Sequence, residues 1–161
     1  EDIIACQKIH GKTILLSMGG AMYYEGGFSS EKAAITAAND IWMTFGPDMS
    51  RASARPFGKA IIDGFDIDIE TPTQYVLPFA DRLRGLIDES IKTDNRPYYL
   101  TAAPQCIYPD LYFGPLLNGS VKYDALMVQF YNNPCGADAY VPGNETQNKF
   151  NFASWDNWSK N

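Results

Sequence analysis

Apolar positions along this chain follow two rhythms. Four short segments are apolar or β-branched almost throughout: Thr13–Met18 (TILLSM), Ala60–Glu70 (AIIDGFDIDIE), Tyr98–Ala103 (YYLTAA) and Ala125–Tyr131 (ALMVQFY). Runs of that kind predict strands of a parallel sheet, buried on both faces. Between them the spacing lengthens to that of helices. Glu31–Phe45 places Ala34, Ile35, Ala38, Ile41, Trp42 and Phe45 on one face, behind a Ser29/Ser30 cap. Tyr75–Lys92 does the same with Leu77, Phe79, Leu83, Leu86 and Ile87, and its Pro78 falls in the first turn, where a missing N–H is tolerated. The stretch after Glu1 is amphipathic, and a last helix is expected near Trp155–Lys160. The order helix–β–α–β–α–β–short crossover–β–helix predicts an α/β protein with a parallel sheet. There is no internal repeat, low-complexity stretch or linker. Pro134–Lys149, rich in Gly, Pro and Asn, reads as a long excursion after the last strand.

Composition narrows the partners. The 161 residues are 45% hydrophobic and 14% aromatic, enough for one domain, 1–161, with a core. A net charge of −6 argues against a nucleic-acid partner. No apolar run approaches the ~20 residues of a membrane span, and the N-terminus is not signal-like. Opening at Glu1 without Met, the chain reads as a mature or excised piece. The single histidine, His10, lies in a polar turn and reads as a solvated residue, which removes most histidine-based mechanisms and multi-histidine metal sites. Cys6, Cys106 and Cys135 show no C-x-x-C spacing, so neither a zinc site nor a redox motif is expected, and no cofactor is implied. Three sequons, at Asn118, Asn144 and Asn157, lean toward a secreted or cell-wall protein.

The unusual element is the second strand. Side chains alternate along a strand, so Asp66, Asp68 and Glu70 share a face with Gly64, while Phe65, Ile67 and Ile69 share the other. The apolar trio is expected against helices, the acidic trio toward the centre of a sheet or barrel. Carboxylates two residues apart lie about 6.6 Å from each other at ~3.3 Å rise per residue. At an effective dielectric of 20 each such pair repels by about 2.5 kcal/mol, nearly two pKa units. At least one member should therefore hold a proton, the condition for a general acid. A metal site would draw ligands from several elements, and a solvated edge strand would not carry Phe65, Ile67 and Ile69 opposite. Cleavage of a glycosidic bond suits such an acid, but the usual scheme needs carboxyls flanking the sugar, about 5–9.5 Å apart. Asp68 and Glu70, on one face of one strand, cannot bracket a ring. The nucleophile must come from elsewhere, and an N-acetyl group on the substrate can supply it.

Four motifs in order carry a resemblance. "DGFDIDIE" (Asp63–Glu70) is similar to the DGxDxDxE signature of glycoside hydrolase family 18, and "LLSMGG" (Leu15–Gly20) resembles that family's SxGG strand end. "LTAAPQCIYPD" (Leu100–Asp110) and "VQFYNNPC" (Val128–Cys135), with "ARPFGKAIIDGF" (Ala54–Phe65), resemble its class III chitinases of plants and fungi. The resemblance covers nearly the whole chain. It implies that Glu70 protonates the leaving oxygen and then activates water, and that Asp68 orients the acetamido group. Asp66 would exchange a proton with Asp68, and Tyr131 would hydrogen-bond the acetamido carbonyl. Gln129 and Asn132 would border the sugar site. Gly19 and Gly20 would leave room for substrate, and Ala102 and Ala103 would be small lining residues. A Cys106–Cys135 disulfide is implied, with the partner of Cys6 before this chain begins.

The implied fold is a partial TIM (β/α)8 barrel of about four units, strands three to six, without the first two or last two strands. Such a sheet is expected to show two bare edges and one uncovered apolar face, and the chain alone little or no activity. The implied substrate is chitin or its oligomers. Two alternatives within the fold are an endo-β-N-acetylglucosaminidase and a non-catalytic chitin-binding lectin. Lectin relatives typically lose the terminal acid of the motif, whereas Glu70 is intact.

Overall fold

The computed structural model describes residues 1–48, 55–94 and 96–160; Ala54, which opens the "ARPF" motif, lies outside the described residues. Helix α1 (Asp2–Lys8) leads to strand β1 (Leu15–Gly19). Helix α2 (Glu31–Phe45) starts where Ser30 accepts the Ala33 N–H on its hydroxyl at 3.2 Å, an N-cap that satisfies one of the free amides of the first turn. It stops at Gly46, where a Cβ would stand 2.6 Å from the Trp42 carbonyl. Strand β2 (Gly64–Asp68) and helix α3 (Val76–Asp94) follow, with Pro78 in the first turn. Strand β3 (Tyr99–Ala102), the one-turn helix α4 (Gly114–Leu117), strand β4 (Ala125–Leu126) and helix α5 (Phe152–Ser159) complete the order.

The four strands form one sheet in the order β1-β2-β3-β4, every pair parallel. Asp66 stands opposite Ser17 on one side and Thr101 on the other, and Ile67 opposite Met18 and Ala102. Parallel partners point to the same face. The apolar face is covered: Phe65, Ile67, Leu100 and Ala102 are buried against Ala34, Ala38, Trp42, Phe79, Leu83 and Ile87 of α2 and α3. Trp42 lies edge-on to Tyr98 at 5.5 Å, an arrangement that aligns ring edge with ring face. The face left open is the acidic one. The amphipathic helices cover the more apolar face, and the face left open carries Leu15 and the exposed Tyr99 beside its acids.

Two predicted strands shorten. Ala60–Asp63 approaches β2 outside the ladder, tied to it by Asp63 N donating to Ile14 O and Tyr99 N donating to Asp63 O. After Leu126 the chain stays alongside β3 only through Met127 N to Ala102 O, Gln129 N to Pro104 O and an isolated bridge at Gln105 and Gln129. Pro104 has no N–H to continue a regular ladder.

Buried polar groups hold the loops. The Asp63 carboxylate at the foot of β2 accepts from Gln7 of α1, the Ile14 N–H and Arg96. Arg55 is buried and donates to the carbonyls of Met43, Gly46, Asp48, Gly58 and Ala60. Its planar fork reaches several acceptors at once, which a lysine cannot do. Among the described residues no helix is long and apolar enough to cross a membrane.

Candidate active site

The acidic residues of β2 stand as the alternation requires: Phe65, Ile67 and Ile69 are buried, while Asp66, Asp68 and Glu70 are partly open on the uncovered face. Each carboxylate has named partners. Asp66 is held from both sides, its Oδ2 accepting from Ser17 Oγ on β1 at 2.8 Å and its Oδ1 from Thr101 Oγ1 on β3 at 2.6 Å. Gln129, buried on the continuation of β4, points its side-chain amide at the other two. Its Nε2 lies 2.9 Å from Asp68 Oδ1, 3.3 Å from Glu70 Oε1 and 3.0 Å from the Ala103 carbonyl.

Asp68 is the member that the surroundings turn into an acid. Its carboxyl is pushed up to about 6, first by partial burial and then by the charges of Glu70 and Asp66. Desolvation and like charge both disfavour the ionised form. Of the three acids the middle one, Asp68, keeps its proton to a raised pH, although a carboxyl at about 6 is mostly ionised at neutral pH.

The two glycines where β1 ends are fitted to the protein's own backbone and side chains. A Cβ at Gly19, where φ is +110°, would sit 2.0 Å from the Asp68 carbonyl oxygen, and Gly20 N donates to that oxygen at 2.7 Å. Gly19 makes room for the backbone of β2. At Gly20 a Cβ would meet only Asp68 Oδ2, at 3.9 Å, so this glycine keeps the approach to Asp68 open.

Ala102 does not line this face. It pairs with Ile67 and is wholly buried in the apolar core, because strand alternation turns it toward the helices. Its neighbours Thr101 and Ala103 belong to the acidic side. Tyr131, 58% exposed, and Asn132, at φ +54°, lie in the loop after β4. No hydrogen bond joins either to the three carboxylates among the described residues. Ser17 and Thr101 escaped the sequence reading. Their part depends on strand register, for which the only signal was the serine of "LLSMGG".

Cys106 and Cys135 are joined by a disulfide, their Cα atoms 5.9 Å apart, which ties the loop after β3 to the loop after β4. Helix α5 clamps the same point: Trp155 Nε1 and Asn151 Nδ2 both donate to the Cys106 carbonyl. Trp155 is thereby buried, with structural partners. Cys6 is a half-buried free thiol. Among the described residues no group of three or more His, Cys, Asp or Glu side chains is placed to hold a metal ion.

The sequence profile of the glycosyl hydrolases family 18 matches residues 2–160. The chain belongs to that family. It is 56% identical to a class III chitinase of Arthroderma benhamiae over 162 residues, covering 99% of this chain and 48% of that protein. Endochitinase 33 of Trichoderma harzianum is 46% identical, with the same 99% and 48% coverage. Among solved structures, ICChI chitinase from Ipomoea carnea superposes with a TM-score of 0.72 at 34% identity, covering 96% of this chain and 52% of that one. The chain spans about half the length of the curated relatives it matches. Its four parallel strands, with helices against one face, are part of the family 18 TIM barrel.

Proposed function

We propose that the full-length gene product containing this chain hydrolyses β-1,4-linked N-acetylglucosamine polymers, chitin and its oligomers, with retention of configuration. The observation that carries the reading is the arrangement of Asp66, Asp68 and Glu70 along the open face of β2, with the Gln129 amide spanning the outer two. Family 18 membership and the names of the relatives support it.

In this reading Glu70, at the C-terminal end of the strand, gives a proton to the glycosidic oxygen as the C1–O bond breaks. The acetamido oxygen of the substrate attacks C1 and closes a cyclic oxazolinium ion. Asp68 receives the acetamido N–H and balances the positive charge of that intermediate. Water then attacks C1, its proton passes to Glu70, and the acetamido group is released. Tyr131 and Asn132 border the acetamido group, and Gln129 holds Asp68 and Glu70 at a fixed separation. With a disulfide-linked pair of loops, the protein is assigned to an oxidising compartment, outside the cell or in its wall.

The full-length gene product is assayed on a fluorogenic chitobioside beside Glu70→Gln. Loss of a positioned general acid is expected to lower kcat by about 10²–10⁴-fold while chitooligosaccharide binding persists. A wild-type protein that binds the oligomer without cleaving it would be a lectin, and the reading would fall. Release of N-glycan cores with no action on chitin would make it an endo-β-N-acetylglucosaminidase.

A further inference from the structure

Asp66 is the first of the three acids along the chain, and the structure supplies each of its oxygens with a hydroxyl donor. The two donors differ. Ser17 is exposed on the edge strand β1, where water can replace its hydrogen bond. Thr101 is 3% exposed on β3, directly opposite Asp66 in the register, and its 2.6 Å bond is in the range of a hydroxyl donating to an ionised carboxylate. A β-branched side chain has few rotamers, so this hydroxyl is aimed by its own backbone.

We propose that Thr101 is a positioning residue: its hydroxyl, donated to Asp66 Oδ1, keeps Asp66 ionised and leaves the exchangeable proton of the acidic row to Asp68. The inference rests on the chitin-hydrolase reading for its catalytic consequence, though not for its physical content. A hydrogen bond donated to a carboxylate favours the charged form of that group. Three acids in a row cannot all ionise cheaply, so a donor committed to one of them decides which neighbour takes the proton. The surroundings of Asp68 agree: burial acts on it most, and the opposing charges are those of Glu70, just past the end of β2, and of Asp66 on β2. The flanking strands bring Ser17, Thr101 and Gln129 to the three carboxylates, and none of these side chains titrates in the working range. The phenol of Tyr131 lies further out, in the loop after β4.

The test compares Thr101→Val, which keeps the volume and deletes the hydroxyl, with Thr101→Ser, which keeps the hydroxyl and deletes a methyl. Both are made in the full-length gene product labelled at aspartate carboxyl carbons, with Asp66→Asn and Asp68→Asn to assign the signals. In Thr101→Val the NMR midpoint of Asp68 is expected to fall by less than one pH unit, since burial and Glu70 act on it more strongly than Asp66 does, and that of Asp66 to rise. Thr101→Ser should return both toward wild type. In the same variants kcat on chitobioside is expected to drop about tenfold with KM within about threefold, and the low-pH limb should move with Asp68. A packing role predicts the reverse order, with serine the worse substitute. Thr101→Ala repeats the hydroxyl deletion should the valine variant fail to fold. Unmoved midpoints in Val and Ala, or a serine variant that shifts as far as they do, would overturn the proposal. Because the midpoints do not require turnover, they are read even if the wild-type protein proves inactive, which would sink only the hydrolase reading.

Discussion

Asp68 is a carboxylic acid whose surroundings work against its charge, and the cost should be visible in stability. Its pKa is 3.8 without perturbation and about 6 in the fold. Between those values the folded chain binds more protons than the unfolded one, so stability falls as pH rises through that window. Above about pH 6 the whole penalty is present, and below about pH 3.8 none of it. Asp68→Asn removes the charge and keeps an acceptor for the Gln129 amide. It is expected to stabilise the protein by about 1 kcal/mol at pH 8, a figure reduced for solvent screening of this half-open group, and by nothing at pH 3.5. Urea unfolding at the two pH values checks this, and an equal effect at both would show that packing rather than charge is responsible. Such a destabilised residue belongs at a site, where the strain serves chemistry.

At the level of elements, the upper end of the sheet is held by covalent and polar ties rather than by ladder. β4 keeps only Ala125–Leu126 in register, yet Gln129 reaches the acids because the loop that follows it is anchored. The anchor is Cys106–Cys135, reinforced by Trp155 and Asn151 on the Cys106 carbonyl and by Tyr108 edge-on to Trp155 at 5.2 Å. Closing a loop of 29 residues corresponds to about 3–4 kcal/mol of chain entropy. The double substitution Cys106→Ser, Cys135→Ser is expected to lose about that much in denaturant unfolding, and to lower kcat through Gln129 more than it raises KM. A loss below about 1 kcal/mol would mean that the α5 contacts alone hold the loop.

At the scale of the molecule, α2 and α3 cover one face of the sheet, and among the described residues no further strand pairs with the outer edges of β1 and β4. Met127 and Phe152, each more than half exposed, flank a groove between β4 and α5 lined by Leu126, Val128, Phe130 and Trp155. Unpaired strand edges beside apolar side chains favour association. Residues 1–161 expressed alone are therefore expected to elute above monomer mass and, on the chitin-hydrolase reading, to show less than about 1% of the chitobioside activity of the full-length gene product, because the chain spans about half the length of the curated relatives it matches. A monomeric preparation with full activity would contradict this.

Periodicity was enough to place the four strands, the two long helices and the face on which Asp66, Asp68 and Glu70 stand, because alternation and helical spacing are local properties of the chain. It overran the ends of β2 and β4, where loss of a single hydrogen-bonding partner stops the ladder. The family resemblance, rather than periodicity, put Ala102 among the lining residues, whereas alternation turns it with Ile67 toward the helices. The clamp of Ser17 and Thr101 on Asp66, the reach of Gln129 across two carboxylates and the 2.0 Å that Gly19 must leave for the Asp68 carbonyl join residues 35 to 61 positions apart. Contacts of that kind exist only once strands are laid side by side. The acids themselves were therefore legible in the order of residues, whereas the hydrogen-bond donors that hold them came from parallel strand packing.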